Sequence, residues 1–240
     1  SGAVAAMTER SRRSRAVPVL VASLLLAAVA AAGIFAGKAI WKTEPPSFKA
    51  LTFRRGNIDA ARFAPDGRTV VYGAAWGGEP LRTYISREGS PETTPLGGPN
   101  STVYGISSAG ELAISLGFRF VGGFIFTGTL ARAPLTGGGA REVLENVNYA
   151  DWSPDGAALA VVRDAGGRSR LEFPIGKTLY ETAGWISHPR FSPDGRYVAF
   201  LDHPVTGDDG GMVSVVDLAG NRRVLSEGWL SEQGLAWPPS

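Results

Sequence analysis

Three stretches of the chain share one pattern of apolar and polar positions. They are FAPDGRTVVY from Phe63, WSPDGAALAV from Trp152 and FSPDGRYVAF from Phe191. Each has an aromatic residue, a polar Pro-Asp-Gly corner and then a mostly apolar run. Proline presets φ at the second position of a turn, and aspartate and glycine suit the positions that follow. Each stretch therefore predicts a strand, a tight turn and a second strand. The predicted turn residues are Pro65, Asp66, Gly67, Pro154, Asp155, Gly156, Pro193, Asp194 and Gly195.

The spacing of these stretches indicates a repeat architecture. A weaker copy puts Ile106 in register with the three aromatic residues, and a fifth copy begins at Trp237. The intervals are 43, 46, 39 and 46 residues. A period of about 40 to 45 residues with several strands per unit is typical of a β-propeller. We therefore predict an all-β propeller of four-stranded blades, with a β-sandwich as the alternative. The predicted blades cover approximately residues 54–97, 98–146, 147–182 and 183–227, and a stub covers 228–240.

The recurring side chains suit structural roles. Recurrence of the turn aspartates at one position indicates turn capping rather than several active sites. We expect the aromatic residues Phe63, Trp152 and Phe191 to wedge between neighbouring blades. The segment FRFVGGFIF at 118–126 fits the repeat poorly. Its Gly-Gly pair between apolar runs predicts an elongated hairpin, and an exposed apolar patch for a partner is the alternative.

The repeats also have a family resemblance. An aromatic residue followed by Ser-Pro-Asp-Gly and an apolar run, as in FSPDGRYVAF, resembles the WD40-like repeat of TolB-type β-propellers. The same repeat occurs in propellers attached to serine peptidases and in extracytoplasmic regions of some bacterial serine/threonine protein kinases. The resemblance covers Ser47 to the C-terminus and implies a propeller fold. It does not specify a function, because propellers host many unrelated activities.

The N-terminal region differs in composition from the repeats. Residues 16–36 contain no charged side chain, and a helix of this length can cross a hydrocarbon core of about 30 Å. The arginine-rich residues 1–15 precede this run, so the positive-inside rule places them in the cytoplasm. We expect a transmembrane helix at 16–40, a linker at 41–47 and an extracytoplasmic propeller at 48–240, in a bacterial inner membrane. A cleaved signal peptide is the alternative, and it would also export the propeller.

Composition and charge exclude two classes of chemistry. The chain has no cysteine. It therefore cannot form a disulfide and has no thiol that could act as a nucleophile. Residues 1–42 carry a net charge of +5 and the remaining residues carry −3. The repeats contain no basic run of the kind that binds nucleic acid, and we expect no nucleic-acid partner. The basic N-terminal segment instead suits a membrane topology.

Motifs for catalysis are missing from the sequence. It has neither the Gly-x-Ser-x-Gly elbow of serine hydrolases nor the nucleotide-loop and catalytic-loop motifs of protein kinases. We therefore expect no catalytic activity and no cofactor. The weak candidate for a metal site is the loop at 202–211, where Asp202, His203, Asp208 and Asp209 could offer ligands to Ca²⁺. A solvated turn is the alternative, because charged glycine-rich segments usually mark surface loops.

The order of the parts suggests a function. A basic tail, one span and propeller repeats resemble the rear half of bacterial transmembrane serine/threonine kinases, in which the kinase domain precedes the span. The resemblance implies a non-catalytic sensing or protein-binding module with a protein or peptide ligand. The alternatives are the substrate-gating propeller of a membrane-anchored serine peptidase and a secreted TolB-like periplasmic protein. Four units and a stub do not comfortably close a ring, so we expect further repeats and an outer strand at 48–53.

Overall fold

One helix precedes the β-rich part of the chain. The computed structural model describes residues 18–33, 48, 50–87 and 93–238. The helix covers 18–33, and no helix within these ranges combines the length and hydropathy that crossing a membrane requires. The tail, the linker and both ends of the predicted 16–40 helix lie outside the described residues. The chain divides between Ala50 and Leu51 into two compact units.

Fifteen strands follow in the described residues, and all paired strands run antiparallel. The first sheet contains four strands in chain order. Its strands are β1 (Gly56–Phe63), β2 (Thr69–Trp76), β3 (Arg82–Arg87) and β4 (Thr93–Pro99). The last sheet has the same order. Its strands are β12 (Trp185–Phe191), β13 (Tyr197–His203), β14 (Gly211–Asp217) and β15 (Arg222–Trp229).

The middle sheet has seven strands because two four-stranded units share one long strand. It contains β5 (Thr102–Ile106), β6 (Glu111–Gly122), β7 (Ile125–Pro134), β8 (Arg141–Trp152), β9 (Leu159–Asp164), β10 (Ser169–Glu172) and β11 (Thr178–Thr182). The first half of β8 pairs with β7 and its second half pairs with β9. No glycine or proline interrupts β8 between the two halves, so the strand continues from the second unit into the third. The sheets thus comprise four antiparallel four-stranded units.

The core lies between neighbouring units. Leu171 of the third unit packs with Phe191 and Phe200 of the fourth, and Leu130 of the second unit packs with Trp152 of the third. All five side chains are buried, and full burial of one such side chain stabilises the fold by about 1.5–3 kcal/mol. The units therefore stack face to face, as the blades of a propeller do.

Two expectations about the edges of the fold are wrong. Phe63 does not wedge between units: its side chain is 70% exposed, whereas Phe191 at the same repeat position is 7% exposed. The reason is that Phe191 packs against the unit before it, and no described unit precedes β1. No strand forms at residue 48 or at 50–53, where Phe48 and Phe53 are exposed. Residues 230–238 also form no strand.

Candidate functional site

The first strand of every unit carries a β-bulge. These first strands are β1, β5, the second half of β8, and β12. The residues at the bulges are Asp59, Tyr104, Asn148 and, in β12, His188 with Pro189. A bulge leaves a residue outside the hydrogen-bonded ladder and redirects its side chain. The polar bulge residues therefore leave the sheet surfaces and face a common space.

That space is a cavity of about 410 Å³, which we call the central cavity. All four first strands contribute to its wall, and the segment 233–235 completes it. The volume lies in the range of small-molecule pockets. Polar and charged side chains on the wall are Asp59, Arg62, Thr102, Asn148, His188, Arg190 and Gln233, and aromatic ones are Tyr104, Phe118, Phe124, Phe126, Tyr149 and Trp185.

Arg62 brings a half-buried positive charge to the wall. Its Nε donates to the Tyr104 carbonyl at 2.9 Å and its Nη1 donates to the Ala61 carbonyl at 2.7 Å. Burial, and next the charge of Arg190, lower the pKa of Arg62 to about 10. Asp59 accepts a hydrogen bond from the Thr102 hydroxyl at 2.7 Å, and burial raises the pKa of its carboxyl. At neutral pH the guanidinium remains charged.

A second arginine lies on the fourth unit. Arg190 Nη1 donates to the Pro189 carbonyl at 2.7 Å and lies 3.9 Å from Asp151 Oδ1. The other oxygen of Asp151 accepts the Phe191 amide at 2.9 Å, which ties the third unit to the fourth. Burial raises the pKa of Asp151. The pair at 3.9 Å is longer than a charge-assisted hydrogen bond, so Arg190 can bind a further anion.

A chain of side-chain hydrogen bonds fixes the His188 ring. Ser187 Oγ lies 2.9 Å from His203 Nε2 and 2.9 Å from His188 Nδ1. His203 Nδ1 lies 3.2 Å from the Gly210 carbonyl, which can only accept. One arrangement satisfies every contact: His203 Nδ1–H donates to Gly210, Ser187 donates to His203, and His188 Nδ1–H donates to Ser187. His188 Nε2 is then an unprotonated acceptor.

Two properties keep this acceptor in place. Burial, followed by the charges of Arg190 and Arg62, lowers the pKa of His188 to about 4, so the ring is neutral at physiological pH. His188 also has a φ of 51°, in the left-handed region. A non-glycine residue there costs about 1–3 kcal/mol, and such strain is typical of functional sites. The bulge and the relay hold the ring in this conformation.

Ser187 and His203 have the distance of a nucleophile and its general base. Both side chains are fully buried, however. His203 is stacked on Trp185 with ring centroids 3.9 Å apart. A substrate has no access to the Ser187 hydroxyl, so the pair positions His188 rather than attacking a bond.

An elongated hairpin covers one end of the central cavity. We call residues 117–126 the roof hairpin; they comprise the end of β6, the turn at 123–124 and the start of β7. Phe118 and Phe126 stack with centroids 4.9 Å apart, and both line the cavity. At the hairpin tip, a Cβ on Gly123 would overlap the backbone of Gly207 in the β13–β14 loop. The roof hairpin of the second unit thus reaches the fourth unit. A second cavity, of about 520 Å³, lies beside the hairpin, with Arg119 in its wall.

The Pro-Asp-Gly turns lie away from this site. They join the first and second strands of their units, whereas the roof hairpin joins the second and third. Gly67, Gly156 and Gly195 have φ values of 65°, 70° and 69°. The aspartates accept hydrogen bonds inside the turns, as Asp194 does from the Ser192 hydroxyl at 2.6 Å and Asp155 does from the Ala157 amide at 3.0 Å. The turns therefore shape the strand connections.

The loop suggested as a metal site has other contacts. Asp202 accepts from the Tyr180 hydroxyl at 2.7 Å and from Arg222 Nη2 at 2.6 Å. Asp208 Oδ1 accepts the Gly210 amide, Asp209 accepts from the Ser231 hydroxyl, and His203 belongs to the relay. Across the described ranges, no group of three or more potential ligands is placed to hold a metal ion.

Sequence reasoning singled out the roof hairpin but missed the charged residues of the central cavity. Arg62 and Arg190 each stand immediately before the leading aromatic residue of a repeat, and so does Asp151. Comparing that position among the repeats would have found both arginines of the cavity wall, together with the carboxylate beside Arg190. His188 gives no comparable signal, because its place in the cavity depends on a bulge that the hydrophobic pattern does not predict.

No protein-family model and no curated protein matches the chain. Solved structures do match. TolB from Acinetobacter baumannii has a TM-score of 0.57 and 16% identity over 72% of this chain and 44% of its own. A putative TolB from Agrobacterium tumefaciens has a TM-score of 0.59 and 16% identity over 76% of this chain and 72% of its own.

A third match is the tricorn protease, with a TM-score of 0.55 and 20% identity over 72% of this chain and 19% of its own. The chain thus spans less than half of the length of the Acinetobacter TolB and about a fifth of that of the tricorn protease. At such identities the likeness is one of fold. The described strands have the fold of a TolB-like β-propeller.

Proposed function

We propose that this chain is a non-catalytic binding module whose ligand occupies the central cavity. The observation that carries the proposal is the convergence of Arg62, His188 and Arg190 on one cavity. A bulge in a first strand is not needed to build a sheet. A half-buried arginine and a strained histidine both cost stability. Their placement at the same cavity is accounted for by a ligand that contacts all three.

The proposal extends to the setting of the module. The uncharged run at 16–36 and the arginines before it support a single membrane span with an extracytoplasmic propeller. In this arrangement the propeller is the sensing part of a transmembrane serine/threonine kinase whose catalytic domain lies upstream. Support for the kinase comes only from the resemblance in the order of the parts.

A second candidate is the propeller of a membrane-anchored serine peptidase. The fold likeness to the tricorn protease supports it, with a TM-score of 0.55 compared with 0.57 for the Acinetobacter TolB. A secreted TolB-like periplasmic protein is a third. The coding sequence on both sides separates them: a kinase domain before Ser1 supports the first proposal, and a serine hydrolase domain after Ser240 supports the second.

Indole NMR of the full chain in detergent micelles tests the binding site. The Trp237 indole N–H donates to the Arg190 carbonyl at 3.1 Å, so its resonance reports on the cavity wall. We expect members of a fragment library to shift this resonance, which Trp237→Phe identifies by its loss. If binding fragments shift only remote indoles such as that of Trp76, or if none binds, the cavity is not the ligand site.

Alkaline carbonate extraction of expressing cells tests the membrane anchor. We expect the full-length chain to remain in the membrane pellet. Release of a product shortened by about thirty residues, the length of a signal peptide, would instead mean that the N-terminal segment is cleaved.

A further inference from the structure

The charges of the central cavity favour an anion. No described carboxylate lies within ion-pair distance of Arg62, whose two bonds go to backbone carbonyls. Arg190 is near Asp151, but at 3.9 Å. Asp59 lies on the same wall and already accepts the Thr102 hydroxyl. The charge of Arg190 disfavours the charge of Arg62, and the carboxylates of Asp151 and Asp59 offset part of this effect. An anion bound between the two guanidinium groups would add to that compensation. Arginine is well suited to carboxylates because its donors match their two oxygens.

His188 adds a requirement of a different kind. Its Nε2 is an uncharged acceptor, because the relay through Ser187 places the proton on Nδ1. A hydrogen-bond acceptor cannot bind a carboxylate oxygen, which is also an acceptor. The ligand must therefore carry a hydrogen-bond donor at this point. The last residue of a peptide has both groups, since its backbone N–H is separated from its carboxylate only by the α-carbon.

The remaining wall is aromatic. Phe118, Phe124 and Phe126 of the roof hairpin line the cavity on the side of the second unit. The Tyr149 ring lies 5.0 Å from the His188 ring. Rings of this kind bind apolar and aromatic groups through area burial and edge or stacked contacts.

We propose that the central cavity binds the C-terminal residue of a peptide. Its carboxylate lies between Arg62 and Arg190, its backbone N–H donates to His188 Nε2, and its apolar side chain packs on the phenyl rings of the roof hairpin. This inference rests on the proposed function and names the ligand class. A free aryl carboxylate shares the first and third contacts but lacks the second.

Three probes separate these contributions in the full chain. They are N-acetyl-alanyl-phenylalanine, its C-terminal amide, and 3-phenylpropionate, each titrated while the Trp237 indole resonance is followed. We expect the peptide acid to bind and the amide to bind about 10- to 100-fold more weakly, because the amide loses the charge-assisted hydrogen bonds. The aryl acid should bind more weakly than the peptide acid. Equal binding of the peptide acid and the aryl acid would identify a small carboxylate as the ligand and overturn the peptide inference.

Variants identify the contacts. Arg190→Gln should weaken binding of both acids about tenfold or more, and Arg223→Gln on the exposed face of β15 should leave it unchanged. Arg62→Gln should act like Arg190→Gln. Arg62 also supports the Tyr104 backbone, so Arg62→Gln could fail to fold. In that case Arg190→Gln alone decides the test. His188→Ala should weaken the peptide acid but not 3-phenylpropionate, which has no N–H to donate.

The outcomes also separate the two proposals. If acid and amide shift Trp237 with equal affinity, the carboxylate inference fails and the binding module stands. If none of the three probes and no fragment shifts Trp237, the cavity is not a binding site and both fail. Binding of the acids that is unchanged in Arg190→Gln would place the carboxylate elsewhere and overturn the inference.

Discussion

The contact between Gly123 and Gly207 allows a direct test of the roof hairpin. Gly123 has a φ of 58°, and a Cβ added there would overlap the Cα and carbonyl oxygen of Gly207. These are backbone atoms, which cannot turn away as a side chain can. In Gly123→Ala, either the hairpin tip or the loop at 204–210 must therefore move.

A matched control lies in the same hairpin. Gly117 has a φ of 60°, and a Cβ there would meet nothing within 4 Å. Alanine at either position costs about 1–2 kcal/mol for the left-handed conformation, and this part cancels in the comparison. The difference between the variants is the overlap with Gly207. Overpacking of this kind costs about 1–3 kcal/mol, so Gly123→Ala should lower the free energy of unfolding by that much more.

Denaturant unfolding measures the energies, and hydrogen exchange locates the change. The Asp208 amide donates to the Val205 carbonyl at 3.2 Å, and the Gly210 amide donates to Asp208 Oδ1 at 2.7 Å. Both amides should exchange faster in Gly123→Ala and normally in Gly117→Ala. Equal losses of stability, together with unchanged exchange at 204–210, would refute the claim that the hairpin rests on this loop.

Three further outcomes follow. Phe191→Ala should lower the free energy of unfolding by about 3–5 kcal/mol, because Phe191 is buried. Phe63→Ala should lower it by only about 0.5 kcal/mol, because Phe63 is exposed. Similar losses in the two variants would mean that Phe63 is covered. In an NMR titration the His188 ring should protonate near pH 4, because the ring is partly desolvated and lies beside two arginines. A midpoint near 6.5 would contradict this environment. Hydrogen bonds lower the pKa of Asp194 to about 2. Its stabilisation is therefore present above about pH 4 and lost toward pH 2, and Asp194→Asn should flatten the dependence of melting temperature on pH in that window.

The turns and the repeat could be predicted because their causes are local. Gly195 needs a left-handed φ whatever surrounds it, and Asp194 bonds to residues two positions away. The same applies to the roof hairpin, whose Gly-Gly pair lies between apolar runs. In the sequence, Phe63 looks identical to Phe191 although their burial differs tenfold. That difference depends on what packs across the sheet, which a local pattern does not contain.

The central cavity could not be predicted in this way, because its residues come from several separate segments of the chain. Arg62, Asp151 and Arg190 occupy one backbone position in three repeats, immediately before the leading aromatic residue. The aromatic residue and the turn fix where that position lies, and they are nearly constant. The side chain at the position varies among the units, since it is negative in the third unit and positive in the first and fourth. The repeat therefore sets the geometry of the cavity while this one position sets its charge, so changes of ligand should require substitutions here and leave the turns unaltered.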